Sequence, residues 1–114
     1  MKRYEAQARL FKALMHPARL AIVDVLRAGE ACVCHLEAAL GYRQAYISQQ
    51  LMVLREAGFV TDRREGWNIY YRVSAPEVFA VMDAVREPSG APLNPRTAQP
   101  THCPCPRCQS QKAK

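Results

Sequence analysis

The stretch from Cys32 to Val60, CVCHLEAALGYRQAYISQQLMVLREAGFV, leaves the chain few folds to choose from. It reads as a short helix, a tight turn at Gly41-Tyr42-Arg43, a longer helix, and a stop at Gly58. In the longer helix Ile47, Leu51 and Leu54 recur at i, i+4 and i+7, so one face must enter a core. Ala45, Ser48, Gln49, Met52 and Arg55 project from the opposite face, which begins with small, hydroxyl and amide groups and then turns basic. A helix buried on one side and offering Gln and Ser near its start suits the DNA major groove, where Gln can pair bidentately with adenine. The same residue types are common on solvated helices, so the residues that follow must decide between the two readings.

After Gly58 comes FVTDRREGWNIYYRV, two β-rich runs around a hairpin signal at Glu65-Gly66. Trp67, Ile69, Tyr71 and Val73 alternate with Asn68, Tyr70 and Arg72, the period of a half-buried strand. Helix, turn, helix and basic hairpin is the order of a winged helix-turn-helix. SQQLMVLREAGFVTDRREGWNIYYRV closely resembles the ArsR/SmtB metalloregulatory repressors, in which a Ser-x-x-Leu-x-x-Leu-Arg-x-Ala-Gly-Leu-Val helix precedes an Arg-x-Gly-containing wing. The resemblance extends from residue 5 to residue 87. It implies a mainly α fold, five helices plus a two-stranded wing, that dimerises through its first and last helices. It also implies a repressor that binds double-stranded operator DNA, and no enzyme.

The flanking segments fit one small domain over residues 1–87. In residues 3–14, Tyr4, Ala8, Phe11 and Leu14 form one helical stripe. Pro17 then opens a second helix, with Leu20, Ile22, Val23 and Leu26 as its core face and Gly29 as its end. His16 stands where an acidic or hydroxyl cap is usual, which predicts a weaker cap. From Pro76 to Glu87 a last helix carries Val78, Val81, Met82 and Val85 at i, i+3, i+4 and i+7. That stripe serves either the domain's own core or, as the resemblance implies, the dimer interface. Residues 88–114 are Pro-rich and polar and are expected to form a flexible tail, because they cannot offset chain entropy by burial.

The net charge of +6 favours a polyanionic partner. No apolar run is long enough to span a membrane and no leader pattern is visible, so a cytoplasmic protein is expected. In that reducing setting five cysteines are expected to be ligands or redox thiols rather than structural disulfides.

Those cysteines lie in two clusters, Cys32-Val33-Cys34 and Cys103-Pro104-Cys105-Pro106-Arg107-Cys108. The prolines keep the second cluster out of any helix or interior strand. Thiolates at this density select soft ions; oxidation of the same thiols is the other reading. In a regular helix Cys32 and Cys34 would diverge by about 200° and could not grip one ion unless the helix start were irregular. A helix N-terminus also lowers a thiol's pKa. Drawing both sulfurs onto an ion would distort the helix that buttresses the reading helix, coupling capture to loss of DNA affinity.

Among ArsR/SmtB proteins a Cys-Val-Cys-Asp-Leu segment marks the sensing helix of arsenic(III)/antimony(III) and of cadmium/lead repressors. Cys32-Val33-Cys34-His35-Leu36 matches at both cysteines, with His35 in place of the Asp. A third cysteine common in arsenic sensors is Glu37 here, and the N-terminal cysteines of cadmium/lead sensors are missing. The resemblance therefore points to arsenite or antimonite as inducer, with Cd(II), Pb(II) or Zn(II) as alternatives and Cys103, Cys105 and Cys108 as sources of the missing ligand. His35 and His102 are auxiliary candidates. On the DNA side, Gln44, Ala45, Tyr46, Ser48 and Gln49 are expected at base edges and nearby phosphates. Arg43, Arg55, Arg63, Arg64 and Arg72 are expected at phosphates or the minor groove, with Arg72 alternatively at the wing base.

Overall fold

A computed structural model describes residues 1–85. The expected tail, with Cys103, Cys105, Cys108 and His102, lies outside the described residues, as does the segment 86–87 assigned to the last helix. Five helices and three strands follow in order: α1 Lys2–Leu14, α2 Pro17–Val25, a 3-10 turn Leu26–Ala28, β1 Ala31–Cys32, α3 Val33–Leu40, α4 Gln44–Glu56, β2 Val60–Glu65, β3 Asn68–Val73 and α5 Glu77–Ala84. The hairpin expected from sequence is there, and β1 adds a third strand, in the order β1-β3-β2.

The core forms where α2, α3 and α4 meet. Ile22, Val23, Leu36, Ile47, Leu51 and Leu54 are each fully buried there, joined by Leu26, Phe59, Val60 and Val78. Burying a Leu or Ile side chain contributes about 1.5–3 kcal/mol, so the i, i+4, i+7 stripe of α4 is a principal source of stability. Leu20, expected in the core, is 36% exposed on the opposite side of α2.

Helix ends follow local chemistry. His16 has extended dihedrals and its Nδ1 accepts the Ala18 N–H at 3.1 Å, so it caps α2 despite being neither acid nor alcohol. Gly41 closes α3 in the left-handed conformation (φ 78°, ψ 7°), which a side chain would disfavour. The hairpin turns on Gly66-Trp67, one residue later than expected, with Glu65 paired to Asn68. Gly66 takes φ 62° and Trp67 does not, the pattern of a two-residue type II′ loop.

That shift corrects the expected alternation. Trp67 sits at the turn and is fully exposed. Tyr71 and Val73 pack on the main core as expected, but Tyr70 on the other face is the most buried residue of β3. The reason is tertiary: β1 flanks β3 and lays Cys32 over Tyr70.

Arg27 ties α5 to the body. It bridges Asp83 at 2.9 Å and the buried Asp24 at 3.0 Å, and its guanidinium lies 4.8 Å from the Phe79 ring. The Asp83 carboxylate, chiefly, raises the Arg27 pKa further. On α5 only Val78 turns fully inward; Val81 is 40% exposed, and Val85, which the sequence placed in this helix, lies just past its end and is 74% exposed. With Phe11, Leu14, Met15 and Leu20 they line an open apolar groove of about 570 Å³ between the first and last helices. Among the described residues no helix is long and apolar enough to cross a membrane.

Candidate nucleic-acid interface and thiol site

The outer face of α4 is presented as the sequence requires. Gln44, Ala45, Gln49 and Arg55 are exposed, Met52 is 53% exposed and Ser48 is half-buried. Gln50 turns inward, where its Oε1 accepts from Arg19 Nε at 2.8 Å. Tyr46 is also half-buried: its ring centroid lies 5.1 Å from that of Tyr42, and its hydroxyl is 3.3 Å from His16 Nε2. Because Nδ1 of His16 accepts at the cap, Nε2 of the neutral ring carries the proton and donates to the Tyr46 oxygen. Arg43 is the exposed residue before α4 and makes no side-chain cap, so the first-turn N–H groups stay open to an anion.

The five arginines differ in what they can offer. Arg43, Arg64 and Arg72 are exposed. Arg55 Nη1 reaches Asp62 at 3.4 Å, an exposed pair that water and phosphate can compete for. Arg63 is engaged instead: it donates to Glu30 through Nε at 3.0 Å and again through Nη2, and to Glu65 at 2.8 Å. Its guanidinium also lies 4.9 Å from the Tyr70 ring. These hydrogen bonds, that to Glu30 first, push the Arg63 pKa above the ordinary arginine value. Sequence periodicity alone had no means of finding Glu30, because its partner is 33 residues away.

The thiol pair meets the geometric condition that a regular helix fails. Cys32 ends β1 with extended dihedrals (φ −85°, ψ 168°) and serves as the N-cap of α3, while Cys34 lies in its first turn. The Cα atoms are 5.4 Å apart and the two sulfurs are joined as a disulfide. A bonded pair is one state of the redox thiols expected here, and the extended backbone at Cys32 makes the helix start irregular. Cys32 is 4% exposed and packs with Tyr70, with Cys34 half-buried against them. In the reduced form two convergent thiolates would suit a soft ion. Among the described residues no group of three or more His, Cys, Asp or Glu side chains is placed to hold a metal ion.

The model of the bacterial regulatory protein arsR family matches residues 16–62. The biofilm growth-associated repressor of Agrobacterium fabrum is 46% identical over 84 residues, 74% of this chain and 72% of that protein. This chain belongs to the ArsR family. The arsenical resistance operon repressor of Escherichia coli is 47% identical over a shorter stretch of 66 residues, 57% of this chain and 56% of that one. A homodimeric winged helix-turn-helix DNA-binding domain from Mycobacterium bovis superposes with a TM-score of 0.67 at 34% identity, covering 73% of this chain and 80% of that one. The chain is thus a DNA-binding transcriptional repressor of the ArsR/SmtB type and not an enzyme. Within this family fold α3 and α4 form the helix-turn-helix and β2-β3 the wing.

Proposed function

We propose that this repressor works as a homodimer in the cytoplasm and leaves its operator when a thiophilic ion, arsenite or antimonite first, is captured by Cys32 and Cys34. The observation that carries the proposal is the convergence of the two sulfurs at the β1–α3 junction. Each thiol proton leaves with one hydroxide of arsenous acid as water, so two cysteines displace two hydroxides and arsenic stays trivalent. A third thiolate from Cys103, Cys105 or Cys108 would displace the last. Cd(II), Pb(II) and Zn(II) are the alternative inducers.

On the DNA side Gln44, Ala45, Ser48 and Gln49 meet base edges and nearby phosphates, with Tyr46 at the edge of that surface. Arg43, Arg55, Arg64 and Arg72 meet phosphates, and Arg63 joins them when it leaves Glu30. The exposed apolar residues of α1 and α5 meet their copies across the dimer axis.

A second reading is favoured by the Cys32–Cys34 bond itself: oxidation, by peroxide or a persulfide, in place of ion capture. Operator binding followed by fluorescence anisotropy separates the two. Under reductant, release by arsenite that is lost in Cys32→Ser/Cys34→Ser establishes ion sensing. Loss of that response on truncation after Asn94 would place tail thiols in the site. Release by peroxide alone establishes redox sensing, and a reduced protein that never binds the duplex ends both readings.

A further inference from the structure

The sheet register places the thiol pair in line with the wing. Cys32 of β1 pairs with Tyr70 of β3, and Tyr70 pairs in turn with Arg63 of β2. Directly paired residues of adjacent antiparallel strands project from the same face, so these three side chains form one row across the sheet. The contacts agree: Cys32 and Cys34 pack on Tyr70, and the Arg63 guanidinium lies 4.9 Å from the Tyr70 ring. Glu30 closes the row. It immediately precedes β1 and accepts two hydrogen bonds from Arg63, with only 15% of its side chain exposed. The neighbouring row, Ala31–Tyr71–Asp62, belongs to the other face, and there Asp62 meets Arg55 of α4.

We propose that the Cys32–Tyr70–Arg63 row, closed by Glu30, carries the state of the thiol pair to the wing and sets whether Arg63 is free to contact DNA. This rests on the reading of Cys32 and Cys34 as the sensing pair. With the sulfurs bonded, Cys32 is held over Tyr70, and Arg63 lies against that ring with its donors committed to Glu30 and Glu65. Separating the sulfurs frees the Cys32 side chain to leave the ring, loosens the packing under Arg63 and lets the guanidinium exchange Glu30 for a phosphate. Capture of an ion by both thiolates restrains the sulfurs as the bond does. Glu30 is a positioning residue: it acts on DNA through Arg63.

The chemistry of the test is closed. Peroxide converts one thiol to a sulfenic acid with release of water; the second thiol attacks that sulfur and a second water leaves, giving the disulfide. A trialkylphosphine and water reverse it, yielding two thiols and the phosphine oxide. The experiment uses the whole 114-residue chain, as it stands and with Cys103→Ser, Cys105→Ser and Cys108→Ser so that only Cys32 and Cys34 react. Operator affinity, thiol count and the Arg63 Nε–H NMR resonance are read in both thiol states, for Glu30 and for Glu30→Ala and Glu30→Gln.

With Glu30 in place, oxidation should weaken operator binding about tenfold or more, the usual range of a coupling between two sites, and shift the Arg63 resonance. In Glu30→Ala the thiols should still oxidise while the two states bind within about twofold of each other, since the coupling route is cut. The salt slope of the oxidised variant should steepen by about one, the signature of one added phosphate contact. Glu30→Gln, which keeps size and loses charge, should fall between. If Glu30→Ala releases DNA on oxidation like wild type, or the Arg63 resonance is indifferent to thiol state, the row does not carry the signal. That outcome leaves the sensing pair standing so long as Cys32→Ser/Cys34→Ser abolishes release. If neither peroxide nor any of arsenite, Cd(II), Pb(II) and Zn(II) releases the wild-type chain, the sensing pair fails and the row fails with it.

Discussion

His16 shows how a single side chain can take a role its type seldom has. Its Nδ1 caps α2 and its Nε2–H reaches Tyr46, so one ring ties the start of α2 to the reading helix. Removing it should cost about 1 kcal/mol, the usual loss for an N-cap, and His16→Asp should restore most of that stability because a carboxylate caps the same N–H. Urea denaturation followed by circular dichroism reads both variants. Trp67 is the opposite case, a large apolar residue that contributes nothing to packing. Trp67→Ala should change stability by less than about 0.5 kcal/mol, as expected of a surface substitution. As the sole tryptophan it should also emit like indole in water.

Among the elements, the proposed contacts with DNA divide between α4 and the wing. The apolar stripe of α4 fixes its rotation, and Gln49 faces outward as a consequence rather than by separate design. Gln49→Ala should cost about 1–3 kcal/mol at one operator base pair and relax specificity there only. Arg64, exposed near the wing turn, should behave differently. Arg64→Ala should weaken all sequences alike and lower the salt slope by about one. Competition binding against single-base operator variants at two salt concentrations distinguishes these effects. β1 is only two residues long, yet it decides which face of β3 is buried and brings the thiols to the wing.

At the scale of the whole molecule the apolar groove between α1 and α5 is the surface proposed to meet a second copy. Phe11 and Val81 are 47% and 40% exposed, so a charge at either position is tolerated by a monomer. In a dimer packed through these helices the same charge would be buried without a partner, at a cost of several kcal/mol. Phe11→Glu and Val81→Glu should therefore keep their helical circular dichroism, sediment as monomers and lose operator binding. Unchanged sedimentation would place the dimer contact elsewhere.

The amino-acid sequence determined whatever depends on neighbours along the chain. The stripe of Ile47, Leu51 and Leu54 set the rotation of α4, Pro17 and Gly41 marked helix ends, and Gly66 marked the hairpin. The identity of the winged helix-turn-helix followed from their order. Tertiary structure decided what depends on residues far apart. It turned Leu20 and Val81 outward, buried Tyr70 beneath Cys32 and drew Arg63 to Glu30. The physical reason is that periodicity reports which residues share a face, while burial of that face depends on the strand or helix packed over it. For β3 that neighbour is β1, which pairs Cys32 with Tyr70 and Ala31 with Tyr71 across the length of two helices and is set in place only when the sheet closes.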